Sequence, residues 1–127
     1  MAVHGSAHLS GCHPDLVRLV LAVGAVRDVA VVQGARSLEA EKQAIASGHS
    51  SLTNPMDSKH VVDPATRPLA LAVDLAPFPV KWSDIPGFQS LAVLVKETAV
   101  KLGIGLHWGG DWVHFKDWDH FELVSTC

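Results

Sequence analysis

Near its end the chain reads WGGDWVHFKDWDHFEL over residues 108–123, a tryptophan-rich segment that closes as an alternating strand. Within it Asp117 precedes His120 by three residues, so a carboxylate and an imidazole lie close together along the chain. His120 and Glu122 alternate with Phe121, which predicts that the two polar side chains share the face opposite the apolar ring. This pairing favours a metal ligand with an acid–base group beside it.

Two further candidate ligands lie upstream. His60 follows Ser58 and Lys59, and Asp74 stands fourteen residues after His60, in an alternating apolar run. Two imidazoles and one carboxylate leave the fourth position of a tetrahedral zinc ion free for water, which is typical of catalytic rather than structural zinc. Together with His120, these residues suggest a zinc peptidase.

Length and composition limit the classes of function. At 127 residues and 48% hydrophobic content, the chain is expected to be one domain, residues 1–127, with a substantial core. The formal charge of −3 provides no excess positive field, so neither a nucleic-acid partner nor a metal-dependent nuclease is expected. Eight histidines exceed what packing alone suggests, and histidine is the commonest metal ligand.

The chain start and the apolar runs predict a protein made in the cytoplasm without membrane insertion. The first residues lack the charged and apolar regions of a secretion signal. The longest apolar run, residues 16–26, contains Arg18 and falls well short of the ~20 residues that span a bilayer.

Local patterns predict an α+β fold. Helical spacing of apolar residues, with capping residues and glycine stops, predicts helices over residues 14–24, 38–46 and 88–102. Alternation and β-branched residues predict strands over residues 28–33, 70–75, 104–108 and 119–124. We expect the helices to pack on one side of a small, mostly antiparallel sheet, with the zinc site in a cleft on its open face.

Several residues are assigned no ligand role. Trp108 is expected in the core and Trp82 as a cover over it, while His49 and His107 are expected at the surface. His114 is expected to line the cleft. Cys12 and Cys127 form no C-x-x-C pair, and two unrelated thiols or one disulfide remain the alternatives.

The motifs Ser58-x-His60, Ala72-x-Asp74 and Asp117-x-x-His120 resemble those of the LAS-type zinc peptidases, the group of VanY and the D-alanyl-D-alanine carboxypeptidases. Within that group the chain is most similar to phage endolysins that act as L-alanyl-D-glutamate peptidases. The resemblance extends over residues 9–123, nearly the whole chain.

This resemblance implies a set of site residues. His60, Asp74 and His120 would bind one zinc ion, Asp117 would be the catalytic base, and Arg36 and Ser58 would face the substrate. In the family the first histidine and the aspartate usually stand seven residues apart. Here the gap is fourteen, which an insertion within residues 61–69 explains, and Asp63 becomes a rival ligand to Asp74.

The function that the resemblance implies is cleavage of the L-alanyl-D-glutamate bond of the peptidoglycan stem peptide by metal-activated water. The guanidinium of Arg36 suits the free carboxylates of that peptide. The protein would act as a monomer on the cell wall, after another protein has opened the membrane. The alternatives are a D-alanyl-D-alanine carboxypeptidase or dipeptidase of the same family and a noncatalytic, zinc-containing wall-binding module.

Overall fold

The computed structural model describes residues 1–48, 54, 56, 58–113 and 116–124. The described residues form three α-helices: α1 (Pro14–Gly24), α2 (Leu38–Ala46) and α3 (Ile85–Leu102). They also form seven strands: β1 (Val3–His4), β2 (Val29–Gln33), β3 (Arg36–Ser37), β4 (Val61–Val62), β5 (Ala72–Pro77), β6 (Leu106–Trp108) and β7 (His120–Leu123). The expectations for His49, His114 and Cys127 concern residues outside these ranges.

Five strands form the main sheet, in the order β1-β2-β5-β7-β6. The β1–β2 pair is parallel, and the other three pairs are antiparallel. Strands β3 and β4 form a separate parallel pair. The α+β prediction is therefore confirmed, with a sheet that is mixed because its β1 edge runs parallel to β2.

The helices begin and end at residues whose side chains or conformations complete the terminal turns. His13 Nδ1 accepts the backbone N–H of Asp15 at the start of α1, at 3.0 Å. Ser37 Oγ accepts from the backbone of the first turn of α2, and a carboxylate oxygen of Asp84 does the same for α3. Gly103, at φ 72°, ends α3 in the left-handed conformation that glycine adopts without strain. The sequence thus predicted α1 and α2, whereas α3 begins at Ile85, three residues before the predicted start, because Asp84 caps it.

The two faces of the sheet differ in what covers them. Apolar side chains of α1 and α3 pack with Val73, Leu75 and Phe121 in the main core. Because side chains alternate along a strand, Asp74 and His120 point to the opposite face. Phe88 of α3 covers Ala30 and Ala76 on that face, while the side chains of α1 and α3 in the main core leave the part with Asp74 and His120 available for a site. Among the described residues, no helix combines the length and the apolarity that a membrane span requires.

Candidate metal centre

Strand pairing brings the three predicted ligands together. Asp74 on β5 lies directly opposite His120 on the neighbouring strand β7. His60 precedes β4, and its carbonyl oxygen accepts the backbone N–H of Arg36 at 2.7 Å. The N–H of Leu71 also donates to the carbonyl oxygen of Lys59 at 2.8 Å, which ties the His60 turn to the chain that enters β5.

The three ligand atoms form a nearly equilateral triangle. His60 Nε2 lies 3.1 Å from Asp74 Oδ1, and His120 Nδ1 lies 3.3 Å from each of these two atoms. Zinc bonds of 2.0–2.1 Å in tetrahedral geometry would place neighbouring ligand atoms about 3.3 Å apart. Both histidines are buried. The group His60–Asp74–His120 could therefore hold a metal ion.

Hydrogen bonds on the far side of each imidazole orient the rings. His60 Nδ1 lies 2.9 Å from the carbonyl oxygen of Gly34, which can only accept, so Nδ1 carries the hydrogen and Nε2 is left for a metal. His120 Nε2 lies 2.9 Å from Glu122 Oε1, which leaves Nδ1 free in the same way. Sequence reasoning gave Glu122 no role, although its alternation with His120 places both residues on one face.

The charges of the group favour a cation. Burial opposes ionisation of Asp74, but hydrogen bonds to His120 and His60 and their charges outweigh it and hold the pKa of Asp74 at about 2. Burial likewise opposes a charged His120, yet hydrogen bonds to Asp74 and Glu122 and the nearby carboxylate charges raise the pKa of His120 to about 9. A proton on His120 thus occupies the place that a metal would take.

Asp117 lies at the margin of this triangle. Its Oδ2 is 4.0 Å from His120 Nδ1, and its side chain remains 33% exposed. The backbone N–H of Asp117 donates to the carbonyl oxygen of Gly109 at 3.1 Å. A Cβ atom at position 109 would collide with the Asp117 carbonyl oxygen, so this close approach requires glycine. The tryptophan–glycine segment thereby supports Asp117 beside the ligands.

Asp119 is a second carboxyl group in this region. Burial, a hydrogen bond to Asp117 and the charges of Asp74 and Asp117 together raise the pKa of Asp119 above its ordinary value. Asp119 therefore holds a proton more readily than an exposed aspartate, and it can donate that proton to Asp117. Sequence reasoning did not assign this residue to the site.

The rival ligand and the proposed substrate residues lie outside the triangle. Asp63 Oδ1 accepts the backbone N–H of Ala65 within a turn, and Asp63 is not part of the ligand group. Arg36 forms an ion pair with the buried Glu41 and keeps 29% of its side chain exposed. Ser58 is half-buried, and its carbonyl oxygen accepts from Arg67 Nη1 at 2.7 Å.

Comparisons with known proteins agree on one family. Residues 1–124 match the family described as phage L-alanyl-D-glutamate peptidase. A relative from Escherichia phage T5, named L-alanyl-D-glutamate peptidase, is 33% identical over 88 residues, which cover 67% of this chain and 59% of the relative. The crystal structure of the Serratia marcescens L-Ala D-Glu endopeptidase ChiX superposes with a TM-score of 0.77 at 29% identity, over 95% of this chain and 86% of that one.

Proposed function

This chain belongs to the phage L-alanyl-D-glutamate peptidase family, and we propose that it is a zinc-dependent peptidoglycan peptidase that cleaves the L-alanyl-D-glutamate bond of the stem peptide. The observation that carries the proposal is the triangle of ligand atoms, with edges of 3.1, 3.3 and 3.3 Å. A carboxylate at 4.0 Å from one of its corners supports a catalytic rather than a structural metal.

In the proposed mechanism His60, Asp74 and His120 would hold the ion with two imidazoles and one carboxylate. Zinc held in this way would provide hydroxide near neutral pH and would polarise the scissile carbonyl. Asp117 takes the proton of the attacking water and later delivers it to the amine nitrogen of D-glutamate as the peptide bond breaks. Asp117 is suited to this exchange because its carboxylate is partly open to solvent and lies beside the ligands.

Arg36 and Ser58 complete the proposal on the substrate side. The ion pair with buried Glu41 fixes one edge of the Arg36 guanidinium, and the exposed part can still donate to a carboxylate. Stem peptides carry such carboxylates. The resemblance of the Ser58-x-His60 motif to the family assigns Ser58 to the substrate side. We also propose that residues 1–127 act as one monomeric catalytic domain. This domain would act on the cell wall once the membrane is open.

Mass spectrometry of digested peptidoglycan tests the proposed bond specificity. Cleavage at L-alanyl-D-glutamate is expected to release stem peptides with a new D-glutamate amino terminus and to leave L-alanine on the glycan. Loss of terminal D-alanine would identify a carboxypeptidase or dipeptidase and contradict the endopeptidase assignment. Peptidoglycan of unchanged mass after incubation with the zinc-loaded protein would indicate a noncatalytic module.

Glu122 is expected to support metal binding through His120. Glu122→Ala removes the acceptor 2.9 Å from His120 Nε2, so we expect the zinc affinity to fall about 10- to 100-fold. Glu122→Gln retains an amide oxygen that can accept the same hydrogen and should recover part of the loss. Competition with a chromophoric chelator measures both affinities. Glu97→Ala, which removes an exposed carboxylate from α3, is the matched control, and an equal loss there would contradict this role.

Zinc binding is also expected to depend on pH. Because the pKa of His120 is about 9 in the metal-free site, zinc must displace a proton at neutral pH. Below that pKa, each unit rise in pH makes the proton about tenfold less competitive with zinc for His120. The zinc affinity should therefore rise about tenfold per pH unit between pH 7 and 8.5. Titration calorimetry in buffers of different ionisation enthalpy should detect about one proton released per ion. A pH-independent affinity would contradict the protonated His120.

A further inference from the structure

The loop between β5 and α3 exposes a group of apolar side chains. Phe78, Val80 and Trp82 are 44%, 39% and 56% exposed, and we refer to them as the rim. Lys81 is the one charged residue within residues 77–83. Trp82 stacks on the buried Phe88, as expected of a residue that covers the core, and more than half of its surface still faces solvent. Clustered exposed apolar side chains of this kind commonly mark a binding surface.

The Trp82 ring is held against a buried support. It stacks on Phe88, with ring centroids 5.8 Å apart and an interplanar angle of 18°. Phe88 is buried against Ala30 and Ala76 of the two central strands. A ring that is fixed from behind loses little conformational entropy when a ligand covers its outer face.

The Phe78 ring also stacks on a neighbouring ring, which here is half-buried. It stacks on His4, with ring centroids 3.5 Å apart and an interplanar angle of 6°. His4 lies beside Ala30 in the parallel β1–β2 register, so the two side chains share a face of the sheet. His4 and Phe88, on which the two rim rings stack, therefore lie on one face of the sheet. Ala30 and Ala76 point to the same face.

That face is the one that carries the candidate metal centre. Asp74 and Ala76 point the same way from β5 and are two residues apart, about 7 Å along the strand. Trp118, which stands between Asp117 and Asp119, packs against the same cluster as Phe88. The cluster of Ala30, Ala76 and Phe88 therefore lies between Trp118, next to the proposed base, and the exposed ring of Trp82.

We propose that Phe78 and Trp82 bind sugar rings of the peptidoglycan glycan strand, so that the preferred substrate is a stem peptide still attached to glycan. This inference rests on the proposed function. L-alanine joins the stem peptide to the glycan, so the proposed scissile bond lies one residue from a sugar. A pyranose ring offers a face of C–H groups that packs on an aromatic ring while its hydroxyl groups stay hydrated. The rim provides such rings on the face of the site.

The first experiment compares two substrates. We expect Trp82→Ala to lower the ratio of kcat/KM on purified sacculi to kcat/KM on a sugar-free L-alanyl-γ-D-glutamyl tetrapeptide by about tenfold. Phe78→Ala should lower the same ratio, and it provides a second variant should Trp82→Ala fail to fold. Val100→Ala removes an exposed apolar side chain from α3 and serves as the control. An unchanged ratio in both rim variants would overturn the proposal.

The second experiment measures binding without catalysis. Zinc-loaded wild-type protein should bind a soluble β-1,4-linked N-acetylglucosamine tetramer, which has no peptide bond to cleave, with NMR shifts at Phe78 and Trp82. Trp82→Ala should weaken this binding, as followed by the shift at Phe78. No binding would overturn the proposal, as would rim-dependent binding to anionic lipid vesicles in place of the sugar. If the zinc-loaded wild type cleaves neither substrate yet binds the tetramer through the rim, the proposed function fails while the glycan surface stands.

Discussion

Asp117→Asn is expected to keep zinc bound and to lower kcat on peptidoglycan by about 10²- to 10⁴-fold, or about 3–5 kcal/mol of transition-state stabilisation. The amide keeps the shape of the carboxylate but cannot take a proton from water. Zinc should remain because Asp117 Oδ2 is 4.0 Å from His120 Nδ1, whereas the three proposed ligand atoms lie within 3.3 Å of one another.

Turnover of sacculi and metal content by atomic absorption check this expectation together. Asp111→Asn is the matched control, because Asp111 lies in the same segment but pairs with Lys96 at an exposed position. Activity retained in Asp117→Asn would remove the base assignment. Loss of zinc would instead place Asp117 among the ligands.

Removing the metal with a chelator is expected to abolish wall cleavage and to lower thermal stability, and added zinc should reverse both effects. An ion bound only by the folded state stabilises it by about 4 kcal/mol at a thousand times its Kd. For a chain of this size we therefore expect the melting temperature to fall by more than about 10 °C. Metal binding and folding stability are coupled because the three ligand side chains are all largely buried in the folded protein.

A pair of histidine variants separates ligand loss from a general effect of substitution. His120→Ala should bind zinc weakly and show no detectable turnover. His107→Ala, which changes an exposed histidine on the neighbouring strand β6, should resemble the wild type in metal content and activity. Cleavage that survives complete chelation, or a His120→Ala protein with full zinc content, would refute the proposed site.

Local patterns were sufficient for the elements that their own residues stabilise. The starts of α1 and α2 follow from capping at His13 and Ser37, and the end of α3 follows from the glycine stop at Gly103. The cap at Asp84 was missed because Pro86 and Gly87 are typical of a loop. Alternation along β7 likewise separates His120 from the buried Phe121. These features need no information from distant parts of the chain.

Other features depend on the tertiary contacts that a side chain makes after folding. The sequence places Trp82 over the core, but only the structure shows that Phe88 fills the space against Ala30 and Ala76 and that Trp82 stacks outside it. The sequence assigns Arg36 to the carboxylates of the substrate, and only the structure shows that folding pairs it with the buried Glu41. Apolar content and charge do not tell which of two nearby side chains occupies a given place.

The choice between Asp63 and Asp74 shows where local information ends. The sequence assigned the ligand role to Asp74 and left Asp63, three residues after His60, as the rival. The antiparallel register of β5 and β7 puts Asp74 opposite His120, while a turn engages Asp63. Residue types and short-range periodicity are properties of neighbours along the chain. A ligand triangle joins atoms that are 14, 46 and 60 residues apart, so only long-range strand pairing can bring it together.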